Sequence, residues 1–184
     1  MRVFVVGATG AIGQPLVRLL VERGDTVAGM TRSQPDVVRA LGAEPVVCDV
    51  YDAAAVREAI ESFASDAVIN ELTDLPDRFE DIDAERQERI RTEGNANVIA
   101  ALGGAKYVVQ SVAFPLEGDA INELERASLA VGGVVLRYGY SYGPGTYSDG
   151  SEELPPEPRV HVETAARRTV EAIDLPSGVL EVTD

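Results

Sequence analysis

A short apolar segment that runs directly into three evenly spaced glycines is the feature that most constrains how this chain can fold. Residues 3–6 are all apolar, and Gly7, Gly10 and Gly13 follow in a G-x-x-G-x-x-G pattern. Apolar side chains then recur at helical spacing, at Ile12, Leu16, Leu19 and Leu20. The pattern predicts a buried strand, a tight turn and an amphipathic helix in immediate succession.

This succession offers the geometry that the diphosphate of a dinucleotide needs. Gly7 permits the tight turn, Gly10 lets the backbone approach the phosphates, and Gly13 lets the helix pack close to the sheet. The first N–H groups of the helix carry a partial positive charge that favours an anion. A tight turn that binds no ligand is the alternative interpretation.

Strand and helix patterns alternate along the rest of the sequence. Strands are predicted at residues 3–6, 26–30, 44–48, 66–70, 107–110, 133–137 and 178–182, and helices at 14–23, 35–41, 52–63, 80–102, 119–131 and 163–173. Strands that are apolar throughout, with helices between them, imply a parallel sheet covered on both faces. The predicted fold is therefore α/β, a doubly wound parallel sheet of the Rossmann type, in a single domain over residues 1–184. Residues 143–158 are predicted to form a long loop.

The charge balance narrows the range of partners. The 184 residues carry a formal net charge of −15, and Lys106 is the sole lysine. Nucleic acids and anionic membranes are polyanions, so neither is expected as a partner. The acidity fits either a high-salt habitat, or a GC-rich genome that encodes arginine in place of lysine, with incidental acidity.

Cysteine and histidine usage bears on location and metal binding. Cys48 is the only cysteine and His161 the only histidine, and they lie far apart in the sequence, so no metal site is expected. No stretch approaches about 18 uninterrupted apolar residues, so no membrane span is expected. The first strand begins at once and leaves no room for a signal peptide. We therefore expect a protein of the reducing cytoplasm.

The end of the second predicted strand should lie beside the adenosine ribose of a bound dinucleotide. Sites that prefer NAD usually place a carboxylate there, but this chain has Met30-Thr31-Arg32-Ser33 and no carboxylate before Asp36. Arg32 and Ser33 suit a 2′-phosphate, which favours NADP and leaves NAD possible. A solvated surface arginine is the alternative interpretation of Arg32.

Seven sequence motifs occur in the order seen in a known enzyme family. They are GATGAIG, MTRS, VVCDV, VIN, RTEGNANVIAAL, VVQS and LRYGYSYGPGT. With these motifs the chain resembles the extended short-chain dehydrogenases/reductases, and within them the NAD-dependent epimerase/dehydratase family. Together with the glycine turn, the resemblance implies a set of cofactor-binding residues: Gly7, Thr9, Gly10, Ala11, Ile12, Gly13, Arg32, Ser33, Asp49, Val50, Asn70, Glu71, Leu72 and Tyr138.

The resemblance also implies roles for individual residues. Asp49 would contact adenine, although Asp49 and Asp52 could instead cap the following helix. Ser111 would hydrogen-bond the substrate oxygen. Tyr138, Tyr140 and Tyr142 would lie near the reaction centre and form, with Ser111, the candidate catalytic set. Structural roles are implied for three further residues, Asn97, His161 and Glu163.

The sequence departs from the family pattern in two ways. The family's Tyr-x-x-x-Lys motif should follow Ser111, yet neither residue type occurs between there and Tyr138. If Glu125 is the glutamate that usually follows the motif, Glu117 and Ile121 occupy the positions of the tyrosine and lysine. The usual substrate-binding lobe is also much reduced.

Two functions remain open on the sequence. The first is an NAD(P)-dependent oxidoreductase or epimerase acting on a small carbonyl or sugar-like substrate, with one of the three tyrosines replacing the lost one. The second is a non-catalytic NAD(P)-binding sensor or regulatory protein. The polar helix predicted at residues 80–102 either presents a solvated face or forms a homodimer.

Overall fold

A computed structural model describes residues 1–76, 78–149, 151 and 153–184, and it contains two sheets. The strands are β1 (Arg2–Val6), β2 (Thr26–Thr31), β3 (Glu44–Val47), β4 (Ala67–Asn70), β5 (Lys106–Val112), β6 (Val134–Tyr138), β7 (Tyr140–Tyr142), β8 (Arg159–His161) and β9 (Gly178–Val182). Seven of them form one sheet in the order β3-β2-β1-β4-β5-β6-β9, and every pairing is parallel. The chain order reverses direction at β1, which places a crevice at the carboxyl ends of β1 and β4.

Helices cover both faces of this sheet. They are α1 (Gly13–Glu22), α2 (Pro35–Ala40), α3 (Ala53–Phe63), α4 (Ala84–Arg89), α5 (Asn95–Ala100), α6 (Ala120–Ala130) and α7 (Val162–Ala172). A π-helical turn, Ile90–Gly94, joins α4 to α5. Among the described residues, no helix combines the length and apolar character that crossing a bilayer requires.

Alternating side chains of the strands feed two separate cores. Val3 and Val5 of β1 pack with α1 and α7 on one face, whereas Phe4 and Val6 pack with α3, α5 and α6 on the other. All four are fully buried, as expected for a strand covered on both sides. The doubly wound parallel fold predicted from the sequence is confirmed.

The prediction of one helix over residues 80–102 is wrong at its start. The first helical turn begins at Ala84, because the Asp83 carboxylate accepts hydrogen bonds from the N–H groups of Glu85 and Arg86 and caps the helix there. Glu80 lies instead in a short 3₁₀ turn, Phe79–Asp81. The charged residues of this segment show no helical periodicity, so the sequence could not distinguish the 3₁₀ turn from α4.

The second sheet, β7 paired with β8, is absent from the sequence prediction. Its strands are three residues long and flank the predicted loop 143–158, in which Gly150 and Glu152 lie outside the described residues. A Cβ on Gly139 would lie 2.6 Å from the backbone of Arg159, so glycine is what allows the two segments to meet. Strands this short carry no alternating pattern to detect.

Candidate cofactor site

The glycine turn has the close contacts that its spacing predicts. Gly7 has a φ of +87°, and a Cβ there would lie 2.9 Å from the carbonyl oxygen of Glu71. A Cβ on Gly13 would lie 2.1 Å from the carbonyl oxygen of Gly7. A Cβ on Gly10 would have the Gly7 oxygen as its nearest neighbour, at 3.4 Å, so the space above Gly10 is open. Two glycines therefore serve the turn, and the third leaves room for a ligand.

The start of α1 supplies hydrogen-bond donors beside that open space. Ile12 is its N-cap residue and provides no side-chain acceptor. The first intrahelical bonds run from Gln14 N–H to Gly10 O and from Leu16 N–H to Ile12 O. The N–H groups that precede them have no partner within the helix and suit an anion. The turn thus fits the diphosphate of a dinucleotide.

A cleft of about 590 Å³ opens above the turn, at the carboxyl ends of β1, β2 and β4. Nine predicted cofactor residues line it: Gly7, Thr9, Gly10, Ala11, Arg32, Asp49, Val50, Glu71 and Leu72. Five predicted residues are outside the lining: Ile12, Gly13, Ser33, Asn70 and Tyr138. The lining also includes residues that the sequence analysis missed, among them Gln14, Tyr51, Asp74, Thr146 and Tyr147. Gln14 lies on α1 and Thr146 ends the LRYGYSYGPGT motif, whereas Tyr51, Asp74 and Tyr147 lie in loops that follow strands and carry no motif.

Two aspartates that the sequence left ambiguous have different roles. Asp52 caps α3, since its carboxylate accepts the N–H of Ala55 at 3.0 Å. Asp49 lines the cleft and accepts the N–H of Tyr51 at 3.0 Å. Asn97 Nδ2 donates to the carbonyl oxygen of Val50 at 2.9 Å, which ties α5 to this wall of the cleft.

Arg32 meets a carboxylate at the edge of the cleft. Its Nη2 lies 3.2 Å from Oδ1 of Asp74, and the guanidinium of Arg86 lies 2.8 Å from Oδ2 of the same aspartate. The Asp74 side chain is 8% exposed, against 61% for Arg32 and 59% for Arg86. A buried carboxylate therefore holds two exposed guanidinium groups together.

Asn70 and Glu71 are buried at the carboxyl end of β4, beside the cleft. Asn70 is buried, and its amide donates to the Tyr107 hydroxyl at 3.0 Å while its oxygen accepts the N–H of Leu72 at 3.1 Å. The Glu71 carboxyl is also buried, and Oε1 lies 3.0 Å from the Tyr138 hydroxyl. Burial raises the pKa of Glu71 to about 8 despite hydrogen bonds that act in the opposite direction. No partner for Oε2 occurs among the described residues.

The predicted catalytic residues do not converge on one point. The Ser111 hydroxyl donates to Oε1 of Glu125 at 2.6 Å, and Arg137 binds both oxygens of that carboxylate at 2.8 and 2.6 Å. The guanidinium of Arg137 is the main reason that the pKa of Glu125 is lowered. This network borders a second, smaller cleft of about 310 Å³.

The three tyrosines also have separate environments. The Tyr138 hydroxyl is buried 2.5 Å from Thr169 Oγ1, and burial raises its pKa well above the ordinary value. The Tyr140 ring stacks on Phe114 at a centroid distance of 3.9 Å. The Tyr142 hydroxyl donates to Oδ2 of Asp184 at 2.6 Å. Their catalytic roles, and that of Ser111, stay predictions.

Comparison with known proteins places this site in a family. Residues 3–128 match the model of the NAD dependent epimerase/dehydratase family. The chain belongs to the NAD-dependent epimerase/dehydratase family. Over 239 aligned positions it is 36% identical to a 3-diazoavenalumate denitrifying reductase of Streptomyces sp., covering all of this chain and 76% of that protein. The aligned stretch is longer than the 184-residue chain, so the relative carries insertions that this family member lacks.

Solved structures share the fold at low sequence identity. The UDP-glucose 4-epimerase of Thermotoga maritima, with UDP-glucose, aligns with a TM-score of 0.82 and 16% identity over all of this chain and 77% of its own. The Thermus thermophilus UDP-glucose 4-epimerase, in complex with NAD, has a TM-score of 0.80, 20% identity and coverage of 100% and 78%. BdcA in complex with NADPH has a TM-score of 0.76, 15% identity and coverage of 98% and 92%.

Membership settles the broad class of the protein. It is an NAD(P)-binding enzyme of the oxidoreductase/epimerase type, in a reduced form compared with its neighbours. The non-catalytic alternative is not favoured, because the relatives are named as reductases and epimerases.

Three residues mark the missing family motif if Glu125 is the glutamate that usually follows it. Glu125 forms the ion pair with Arg137, while Glu117 is exposed and Ile121 borders the second cleft. Lys106, the sole lysine, pairs with Asp174 at 2.9 Å at the opposite, amino end of β5. This family member therefore has no lysine beside the predicted reaction centre.

Proposed function

We propose that the protein is an NADPH-dependent reductase of a small electrophilic substrate. The observation that carries the reductive direction is the sequence between Tyr107 and Tyr138, which contains no tyrosine and no lysine. An epimerase must first oxidise its substrate, and a base must then take the proton of the reacting hydroxyl. A tyrosine without a neighbouring lysine stays protonated near pH 7 and is a poor base. Reduction needs no base, because the reacting group gains a hydride and does not lose a proton.

The chain offers residues for each part of the cofactor. The N–H groups at the start of α1 would hold the diphosphate, and Asp49 with Val50 would border the adenine. Arg32 would bind the 2′-phosphate, since no carboxylate follows β2 in the place that NAD sites use. A bound reduced nicotinamide would supply a hydride. NAD is the alternative cofactor for the same site.

The substrate class follows from which groups a hydride can reduce without a strong protein acid. A carbonyl needs both a hydride and a proton. An aryl diazo group in its diazonium form needs the hydride alone: the new C–H bond forms at the ring carbon, the C–N bond breaks and dinitrogen leaves. The reductase from Streptomyces sp. carries a diazo compound in its name. We therefore propose small carbonyl compounds and aryl diazo compounds as the substrate classes, with sugar-like compounds as the alternative.

The test follows absorbance of NADPH at 340 nm with three groups of substrate: aryl diazo compounds including 3-diazoavenalumate, simple aldehydes and ketones, and nucleotide sugars. We expect consumption with a member of the first or second group and none with nucleotide sugars. Tight NADPH binding with no consumption in any group would contradict the proposal and favour a non-catalytic function. Consumption with nucleotide sugars alone would show a reductase with a sugar-like substrate, whereas interconversion of nucleotide sugars without net NADPH consumption would indicate an epimerase.

A further inference from the structure

One buried carboxylate neutralises the arginine that the proposed function assigns to the 2′-phosphate. Asp74 lies in the segment that follows β4 and lines the cleft together with Arg32, which follows β2. Its two carboxylate oxygens are divided between two arginines, with Oδ1 3.2 Å from Arg32 and Oδ2 2.8 Å from Arg86. The Arg86 side chain contributes a second hydrogen bond through Nε, also to Oδ2 at 2.8 Å.

The segment around Asp74 is fixed by its backbone as well as by its side chain. Gln87 Nε2 donates to the carbonyl oxygen of Asp74 at 2.5 Å, and Gln87 is itself buried in α4. The Asp74 side chain is 8% exposed, so it is held in place while both guanidinium groups reach it from solvent. A phosphate that binds Arg32 would therefore lie close to this negative charge.

We propose that Asp74 is a specificity-determining residue, which occupies Arg32 in the free protein and which the 2′-phosphate of NADP must displace. The inference rests on the proposed use of Arg32 for NADP. NAD lacks the 2′-phosphate and can bind with the ion pair intact. Binding of NADP breaks that pair and brings the phosphate beside a carboxylate whose charge is then compensated by Arg86 but no longer by Arg32. The Asp74 carboxylate therefore lowers the affinity for NADP without lowering the affinity for NAD. The ratio of the two affinities depends on how strongly Asp74 binds Arg32.

Arg86 also affects how strongly Asp74 binds Arg32. While it binds Oδ2, it takes part of the carboxylate's charge and loosens the hold of Asp74 on Arg32. Without Arg86, the carboxylate would face Arg32 alone, and the cationic field around the phosphate would fall by one charge. Both effects weaken NADP binding and leave NAD unaffected.

The direct test is the affinity of the Asp74→Asn protein for NADP and for NAD, each measured by isothermal titration calorimetry. Asparagine keeps the size of the side chain and removes its charge. We expect NADP to bind about tenfold more tightly and NAD to change by less than about twofold. Asp36→Asn is the matched control: it removes the same charge from an aspartate that pairs with Arg39 and lies outside the cleft lining, so neither affinity should change.

Arg86→Ala provides an independent arm if loss of the Asp74 charge disturbs the fold. We expect NADP affinity to fall severalfold, with NAD affinity unchanged, and we expect no effect from Arg78→Ala, whose partner Glu80 lies outside the lining. An unchanged NADP-to-NAD ratio in both Asp74→Asn and Arg86→Ala would overturn the inference.

Arg32→Ala separates this inference from the proposed function. If Arg32→Ala leaves NADP affinity unchanged, the proposed use of NADP fails. If Arg32→Ala weakens NADP binding but Asp74→Asn does not strengthen it, only the role of Asp74 fails. In the double variant, loss of Arg32 should abolish the gain that Asp74→Asn produces alone.

Discussion

At the scale of single residues, burial keeps the carboxyl of Glu71 neutral near pH 7. Tyr138 lies 3.0 Å from Glu71 Oε1 and 2.5 Å from Thr169 Oγ1, which in turn lies 2.8 Å from the carbonyl oxygen of Ala165. The hydrogen bond that Tyr138 donates to Oε1 favours the charged carboxylate, and Oε2 has no partner among the described residues. Burial outweighs that hydrogen bond and favours the neutral acid.

The neutral state of Glu71 predicts an unusual dependence of stability on pH. The folded protein holds this proton up to about pH 8, whereas the unfolded chain releases it near the ordinary pKa of 4.5. Between these values the folded state binds more protons, so its free energy of unfolding falls as pH rises through that window. Tyr138 is the titratable side chain that contacts the carboxyl, and its own pKa lies above this window.

Glu71→Gln tests this prediction, because an amide keeps the size of the side chain and still accepts the Tyr138 hydrogen bond but does not titrate. Urea denaturation at pH 5, 6, 7 and 8 should show a decline in stability for the wild type that is smaller or absent in Glu71→Gln. The exposed Glu117→Gln serves as control and should retain the decline. Equal slopes for wild type and Glu71→Gln would show that Glu71 is ionised in the folded protein.

At the scale of elements, helices with clear terminal signals were predictable and the charged segment before α4 was not. Gly24 and Gly42 follow α1 and α2 with positive φ, as their positions in the sequence indicate. Around α4, acidic and basic residues alternate from Glu80 onward without an apolar stripe. The choice of Asp83 as the cap depends on the tertiary contacts of the segment, which local sequence does not show.

Asp83→Ala measures how strongly that cap fixes the start of α4. Its carboxylate accepts two backbone N–H groups, so its loss should lower the free energy of unfolding by about 1 kcal/mol. Asp81→Ala is the control, since the Asp81 carboxylate lies 3.8 Å from Arg78 at the surface and caps no helix, and its loss should change stability by less than about 0.5 kcal/mol. Equal effects from the two variants would argue for a helix that begins earlier.

At the scale of the whole molecule, parallel pairing brings distant parts of the sequence to one edge of the sheet. The glycine turn, the end of β2 and the segments after β3 and β4 all reach the cleft because carboxyl ends of parallel strands lie together. Each of these parts belongs to a recognisable motif, so the sequence could indicate that they meet at one cleft; their contacts with a cofactor stay predictions.

The ion pairs at the edge of the cleft and the partners of the predicted catalytic residues could not be predicted from sequence motifs. Asp74 and Arg86 have no motif, and their meeting with Arg32 depends on how the loop after β4 folds back. Ser111 and the three tyrosines do have motifs, but the hydroxyls of Ser111, Tyr138 and Tyr142 take partners from α6, α7 and the C-terminal residue. Such pairings join residues far apart in sequence, and neither spacing nor hydropathy specifies them.

The proposed function depends on the glycine turn holding the diphosphate of a nicotinamide dinucleotide. Calorimetric titration with NADPH of the wild type, Gly10→Ala and Gly178→Ala tests it most directly. The added methyl at Gly10 fits the fold but enters the open space above the turn, whereas at Gly178 its nearest neighbour is 4.0 Å away and outside the cleft. We predict binding to the wild type and Gly178→Ala, and affinity at least about tenfold weaker for Gly10→Ala. Equal affinity in all three proteins, or no heat with either NADPH or NADH at saturating concentration, would contradict the account.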